Sequence, residues 1–445
     1  MAKEREQWGS KLGFILAAAG SAIGLGNIWR FPTVVGQSGG GIFILIYLII
    51  IFLIGIPLMI CELTIGRRGK SNIVRAFKGI KPGSPWWIIG ALGVAAGFII
   101  LSFYSVIAGW SVAYIFKFLS GGLNNLGVRD SGEVFGSFVA SPIEPLIWHG
   151  IFMAMTIGIV IFGIDKGIEK ASKIMMPILF VLLLLLALRS ITLPGAFEGL
   201  KWYLTPNLKA INIKIILGAL GQVFFSLSLG MGAMMTYGSY LTDDNDIPNS
   251  AMLISLADLS IAVLAGFIII PAVFAFDYEP NAGPSLIFIT LPAVFAFLPL
   301  GNIFGGLFFS LLTIAALTSA ISLLEVPVAY FIEEFKWSRK EASIILGSVI
   351  FILGIPSSLS MGILGQTLIF GKGFLDFMDF FSSNLILPIG GLLTALFVGW
   401  VWGDRGIFNE LEKGRVTFTL KNIWFSIVKY LLPIVLFYIL ITGLI

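Results

Sequence analysis

Gly20-Ser21-Ala22-Ile23-Gly24-Leu25-Gly26-Asn27 places three glycines and two polar side chains in the middle of an apolar run that extends from about 11 to 36. A continuous helix is disfavoured there. Unpaired backbone amides and carbonyls cost several kcal/mol each in hydrocarbon, so an unwound stretch persists only where it lines a polar cavity. A second stretch of the same character, Phe225-Ser226-Leu227-Ser228-Leu229-Gly230-Met231-Gly232, interrupts the sixth apolar run. Small residues also permit close helix packing, and either stretch alone fits that reading equally well. The pairing of the two, together with Asn27 and intramembrane carboxylates, selects the cavity.

The rest of the chain is built for a bilayer. Of its 445 residues 58% are hydrophobic and 12% charged, against roughly 25% charged in a soluble domain. A spanning helix needs about 20 apolar residues. Eleven such runs are visible, near 11–36, 41–65, 88–118, 145–163, 171–193, 213–240, 248–276, 303–332, 341–356, 377–402 and 422–444. The expected fold is an all-α polytopic membrane protein. Cys61 is the only cysteine, which excludes an intrachain disulfide and a cysteine metal cluster. The first run is too long for a signal peptide and has no small-residue cleavage site, so it is expected to be retained. Lys3, Arg5 and Lys11 precede it, and Arg67, Arg68, Lys70, Arg75, Lys78 and Lys81 follow the second run. The positive-inside bias puts both segments, and so the N-terminus, in the cytoplasm. The net charge of +4 reads as topology and not as nucleic-acid binding. Asp243, Asp244 and Asp246 run against the bias, in which acidic residues count little.

Interruptions at corresponding positions of two halves point to a secondary transporter with inverted repeats and a midplane site. The division expected is 1–193 for the first repeat, helices 1–5, and 194–402 for the second, helices 6–10. Residues 403–445 then supply a cytoplasmic loop and helix 11, although no residue-level identity relates the halves. A channel would need polar groups along a continuous path, whereas these cluster at one depth. An assembly subunit or sensor predicts binding without flux. Enzyme chemistry is disfavoured, because the only histidine, His149, is at a helix edge with no nucleophile and base beside it.

Glu62, Asp258 and Glu325 lie inside apolar runs, where an ionised side chain costs roughly 2.5–3.5 kcal/mol and needs a partner or a proton. Glu62 suits the free amides of a broken helix. Glu325 fits either that role or a proton carrier. Asp258 is the candidate for a cation site, since a fixed negative charge offsets a cation in low dielectric. Ala315, Thr318 and Ser319 share one helix face and offer a carbonyl and two hydroxyls suited to sodium.

Arg5-Glu6-Gln7-Trp8, followed by Gly20 through Asn27 and Ile28-Trp29-Arg30-Phe31-Pro32, resembles the signature of the neurotransmitter:sodium symporter family, in particular its bacterial amino-acid branch. The likeness continues through Gly55-Ile56-Pro57-Leu58, Glu62, Gly66-Arg67, Lys166-Gly167-Ile168-Glu169-Lys170, Gly221-Gln222 to Gly230, Leu317-Thr318-Ser319 and Met378-Asp379-Phe380, and so covers nearly the whole chain. It implies the five-plus-five inverted-repeat fold of the leucine-transporter type, with helices 1 and 6 broken at mid-membrane. Two sodium ions (Na+) are implied as well. Ala22, Asn27, Ser226, Asp258 and the substrate carboxylate would hold the first, and Gly20, Ile23, Ala315, Thr318 and Ser319 the second. The family often has asparagine at the position of Asp258 and a chloride-binding serine one turn later, where this chain has Ala262. Chloride independence is therefore expected.

The same resemblance implies a substrate carboxylate at the amides near Gly24 and Gly26, with Tyr104 donating a hydroxyl. The ammonium would meet carbonyls around Ala22, Phe225 and Ser228, and the side-chain pocket would comprise Ser21, Ile100, Phe225, Ser228, Met231, Ser319 and Leu323; Ser226 is counted as a substrate contact beside them. Amine transporters of the family carry aspartate where this chain has Gly24, which favours an amino acid. Met231, unbranched and adaptable, stands where a relative has phenylalanine and suits a bulky or aromatic substrate. Arg30 and Asp379 match an extracellular ion pair above a lid of Tyr104 and Phe225. Arg5 and Glu333, with Trp8 beside them, match a cytoplasmic pair. The expectation is sodium-coupled import of a hydrophobic or aromatic L-amino acid across a bacterial inner membrane. The alternatives are a proton-coupled amino-acid carrier or a carrier of another small zwitterion. Nothing in the pattern specifies an oligomer.

Overall fold

In the computed structural model the described residues are 5–276, 278, 286–415 and 417–444. Among them the chain is helical almost throughout, with one isolated bridge between Ile369 and Lys372. Helices α1 (Lys11–Ala22) and α2 (Gly26–Gln37) form one span bent by 50°. The crossing α3 (Gly41–Gly69) follows, then the short α4 (Ile73–Ile80) and the long α5 (Trp87–Leu119). Helices α6 (Val128–Ala140) and α7 (Glu144–Val160) meet at 75°. Helix α8 (Ile164–Ile191) comes next.

The chain then runs through α9 (Ala196–Leu204), α10 (Ile213–Ser226) and α11 (Ala233–Gly238). It continues through α12 (Ile247–Ala275), α13 (Leu286–Ala296), α14 (Gly301–Phe335), α15 (Arg339–Leu359), α16 (Phe374–Leu411) and α17 (Lys421–Gly443). Among the described residues eight helices are long and apolar enough to cross a membrane, or up to ten if each bent pair counts once, against the eleven expected. The difference lies in the sixth run. Its halves α10 and α11 have 14 and 6 residues, and at about 1.5 Å per residue neither covers a hydrocarbon core of about 30 Å alone.

The boundaries follow from capping. Ser10 accepts the Gly13 amide at the start of α1, Asp246 accepts the Asn249 amide at α12, and Ser338 with Glu341 forms a reciprocal capping box at α15. At the first break Ile23 is extended, with φ −80 and ψ 101. At the second, Ser228, Gly230 and Gly232 have φ of 53, 78 and 79, a region open to glycine and strained for serine. Among the described residues the most extensive packing is between α5 and α14, and both breaks lie against this wall.

In the acidic loop that runs against the charge bias, Asp243 is neutralised locally. Asp243 bonds Lys70 at 2.8 Å and Lys413 at 3.3 Å, and the Lys70 hydrogen bond holds its carboxyl below the usual range. Buried Arg67 pairs with Glu410 at 3.0 Å and donates to the Asn245 carbonyl at 2.6 Å. The loop after α3, the loop before α12 and the end of α16 therefore share one side.

Candidate functional site

Each break exposes backbone groups, and named side chains take them up. The Gly24 amide donates to Asn27 Oδ1 at 3.1 Å, and the Leu25 amide to the Tyr104 hydroxyl at 3.1 Å. Gln222 Nε2 donates to the Gly26 carbonyl at 2.7 Å. At the second break the Gly230 amide donates to Glu62 Oε1 at 2.7 Å, and Ser228 Oγ to the Ser21 carbonyl at 2.8 Å. Glu62 thus has the structural role that its place in the sequence suggested. Gly24 is sterically fixed: a Cβ there would lie 2.4 Å from Ser319 Oγ and 2.7 Å from the Tyr104 hydroxyl.

Between the breaks lies a cavity of about 20 Å³ lined by Ser21, Ala22, Gly24, Gly26, Ile100, Tyr104, Phe225, Ser228, Met231, Ser319 and Leu323. These are eleven of the twelve residues expected to contact substrate. The twelfth, Ser226, turns its hydroxyl to Asp258. A larger cavity of about 420 Å³ lies beyond, walled by Trp29, Arg30, Trp110, Phe135, Phe288, Asp376 and Asp379 among others. Tyr104 and Phe225 line both cavities, so these two rings are the partition between them.

The oxygens expected to hold sodium also converge. Asp258 is fully buried and accepts from Asn27 Nδ2 at 2.7 Å, from Ser226 Oγ at 2.8 and 2.9 Å, and from the Tyr47 hydroxyl at 3.3 Å. Helix α12 is therefore in the register that brings Asp258 to Asn27 of the first break. At the second set, Ser319 Oγ lies 3.5 Å from the Gly20 carbonyl and 3.4 Å from that of Ile23, while Thr318 Oγ1 lies 3.4 Å from Ile23 and 2.9 Å from Ala315. The separations of 3.4–3.5 Å are long for hydroxyl hydrogen bonds. Both sets are neutral or anionic oxygens, the donor chemistry of a hard cation. Hence Ala22, Asn27, Ser226 and Asp258 on one side, and Gly20, Ile23, Ala315, Thr318 and Ser319 on the other, fit sodium.

The two gates differ. Arg5 and Glu333 form a direct ion pair, and Glu333 also accepts the Asn72 amide at 2.7 Å. Trp8 closes beside them, donating to the Tyr237 carbonyl at 3.0 Å with its ring against Tyr237 and Tyr240. The expected contact of Arg30 with Asp379 is not direct. Arg30 reaches Ser383 Oγ at 3.4 Å, and Ser383 donates to Asp379 at 3.2 Å. The guanidinium is held back over the Phe225 ring, 4.9 Å from its centroid. One side of the site is thus sealed by the Arg5–Glu333 ion pair, while on the other side Arg30 and Asp379 are bridged by a serine.

Glu325, left between two roles by the sequence, is paired with Arg339 at 2.7 Å and accepts from the Tyr240 hydroxyl at 2.6 Å. His149 stands inside α7 rather than at its edge, buried against Ser105 Oγ at 2.9 Å. The sequence assigns no role to Tyr47 and Gln222, although each is a polar group within an apolar run. Glu169, also without an assigned role, accepts the Gly9 amide at 2.7 Å and Ser10 Oγ at 2.8 Å, tying the N-terminal segment to α8.

Two broken helices around a polar cavity, with oxygen cages beside it and a closable group on each side, define a secondary membrane transporter. Residues 5–126 and 145–445 match the sodium:neurotransmitter symporter family, and the chain belongs to it. It is 44% identical to an uncharacterized sodium-dependent transporter of Bacillus subtilis strain 168, YhdH, over 96% of this chain and 95% of that one. A second uncharacterized sodium-dependent transporter, MJ1319 of Methanocaldococcus jannaschii, is 35% identical, covering 92% of this chain and 85% of its own length. The crystal structure of MhsT in complex with L-phenylalanine superposes with a TM-score of 0.92 at 48% identity, over 99% of this chain and 100% of that one. The fold is thus the leucine-transporter type expected from the sequence, and the protein is a sodium-dependent multi-pass membrane transporter, not an enzyme.

Proposed function

We propose that the protein imports a hydrophobic or aromatic L-amino acid with two sodium ions, without chloride, by alternating access between two inverted repeats, 1–193 and 194–402. The observation that carries this reading is the cavity lined by residues of both breaks, beside which Asp258 bonds Ser226 while the Thr318 and Ser319 hydroxyls face the Ile23 and Gly20 carbonyls. The amides near Gly24 and Gly26, with the Tyr104 hydroxyl, would receive the substrate carboxylate, which also completes the first sodium shell. Substrate and ion then stabilise each other's binding, and transport is coupled. Apart from its serines the wall facing the side chain is Ile100, Phe225, Met231 and Leu323, which suits an apolar group. The bound L-phenylalanine of MhsT supports the same size class.

Asp258 takes the hydroxyls of Ser226 and Tyr47 for itself, so a fixed carboxylate occupies donors that an anion would need. The cycle begins open to the outside, over the larger cavity. Tyr104 and Phe225 close above the bound amino acid, and separation of Arg5 from Glu333 then frees Trp8 and α1 toward the cytoplasm of a bacterial inner membrane. Glu325 has Arg339 as its partner, which disfavours it as a proton carrier. Binding of labelled L-phenylalanine and L-leucine to the purified protein, titrated with sodium in chloride-free buffer, tests the proposal. A sodium dependence with a Hill slope near two is expected. Binding that follows pH and ignores sodium would replace it with the proton-coupled reading.

A further inference from the structure

Lys429 is a cation that the transport cycle does not use. It lies in α17, a spanning helix that begins at Lys421, about 12 Å along the axis at 1.5 Å per residue. Among the described residues no carboxylate pairs with it. Instead its ammonium sits over three rings, 4.9 Å from the centroid of Trp400, 5.5 Å from Tyr430 and 5.9 Å from Phe425. Trp400 and Tyr430 are exposed, by 60% and 55%, on helices whose outer faces meet lipid.

The arrangement is built, not incidental. Pro433 is four residues after Lys429 and cannot donate to its carbonyl. Trp400 Nε1 supplies the missing donor at 3.0 Å. Helix α16 comes so close here that a Cβ on Gly399 would lie 2.8 Å from Lys429 Cα. Both helices widen into π turns at this point, Phe397–Trp402 and Ile427–Leu431, a distortion often found at functional sites. Helical side chains lean toward the N-terminus, so the ammonium is directed to the membrane face on which α16 ends and α17 begins. That face carries Arg67, Arg68 and Lys70.

We propose that Lys429, framed by Trp400, Tyr430 and Phe425, binds the headgroup phosphate of an anionic phospholipid at the lipid-facing seam of α16 and α17. An ionised side chain at membrane depth calls for a partner, and the rings stabilise the ammonium without neutralising it. Positive charge between membrane helices at the interface, flanked by tryptophan and tyrosine, is the chemistry that holds an acidic headgroup. The occupant comes from the bilayer itself, which surrounds this seam.

The test uses the full-length protein in phosphatidylcholine nanodiscs doped with phosphatidylglycerol, with bound lipid counted by native mass spectrometry after release. Wild type retains one more phosphatidylglycerol than Lys429→Gln, whose affinity for that lipid falls about five-fold, as one lysine contact near the surface implies. Lys429→Arg restores retention, Trp400→Leu weakens it, and phosphatidylcholine retention is unchanged in all. Equal phosphatidylglycerol retention by wild type and Lys429→Gln overturns the proposal. So does an equal loss of both lipids, or a shift from dimer to monomer mass in the variant, which would assign the seam to a second copy of the chain. Melting temperatures in pure phosphatidylcholine confirm that each variant is folded, and the result is independent of substrate and sodium.

Discussion

Replacing Asp258 by asparagine removes one charge and almost no volume. The carboxylate is fully buried and accepts from Asn27, Ser226 and Tyr47. In the variant the amide oxygen can keep the Asn27 contact, and the two hydroxyls can rotate to accept from the new NH2, so the fold is expected to survive. What is lost is the charge facing sodium. At about 4 Å and an effective dielectric of about 20 that attraction approaches 4 kcal/mol, and allowing for relaxation about 2–4 kcal/mol is expected, or roughly 30- to 1000-fold in sodium affinity. Sodium titration of labelled L-phenylalanine binding in gluconate buffer measures it directly. The hydroxyls of Tyr47 and Ser226 are then free to meet an external anion, and adding chloride is expected to restore part of the loss in the variant and to do nothing for wild type. An unchanged sodium dependence for Asp258→Asn would refute the assignment of this carboxylate to the ion site.

Gly24→Ala puts a methyl against Ser319 and the Tyr104 hydroxyl, and amino-acid binding is expected to disappear while the melting temperature stays within a few degrees; retained affinity would contradict the placement of the substrate. Glu62→Ala leaves the Gly230 amide without its acceptor and is expected to cost about 1–3 kcal/mol of stability, whereas Glu62→Gln, which keeps an oxygen, costs less; the comparison is read by thermal unfolding in detergent. Arg5→Ala breaks the pair with Glu333 and shifts the population toward cytoplasmic opening by about 1 kcal/mol, or roughly five-fold. Because Cys61 is the only cysteine and is buried, maleimide labelling of a cysteine placed at Ser10 reports that opening with little background, and an unchanged labelling rate would count against the gate. Met231→Phe narrows the side-chain pocket and is expected to reduce phenylalanine binding about ten-fold relative to leucine, as read by competition.

Much of this site was legible in the chain because lipid makes broken helices conspicuous. Gly20 to Asn27 and Phe225 to Gly232 stand out against apolar runs, and eleven of twelve expected contact residues share one cavity. The hidden parts are those whose partners lie far along the chain. Arg339 reads as the start of α15, yet it reaches back to Glu325. Ser383 lies between Arg30 and Asp379 while the guanidinium rests over Phe225. Periodicity says nothing of such contacts. The crossing count differed for the same reason that the site was visible, since the break that marks α10 and α11 also leaves each half too short to count alone.

The central claim is that the two breaks form one site through which a sodium gradient moves an amino acid. Uptake of labelled L-phenylalanine into proteoliposomes, with sodium high outside, pH equal on both sides and chloride absent, measures it. Accumulation above the external concentration that collapses when the sodium gradient is dissipated is the result expected. Failure of that gradient to drive accumulation, where a proton gradient succeeds, would contradict it.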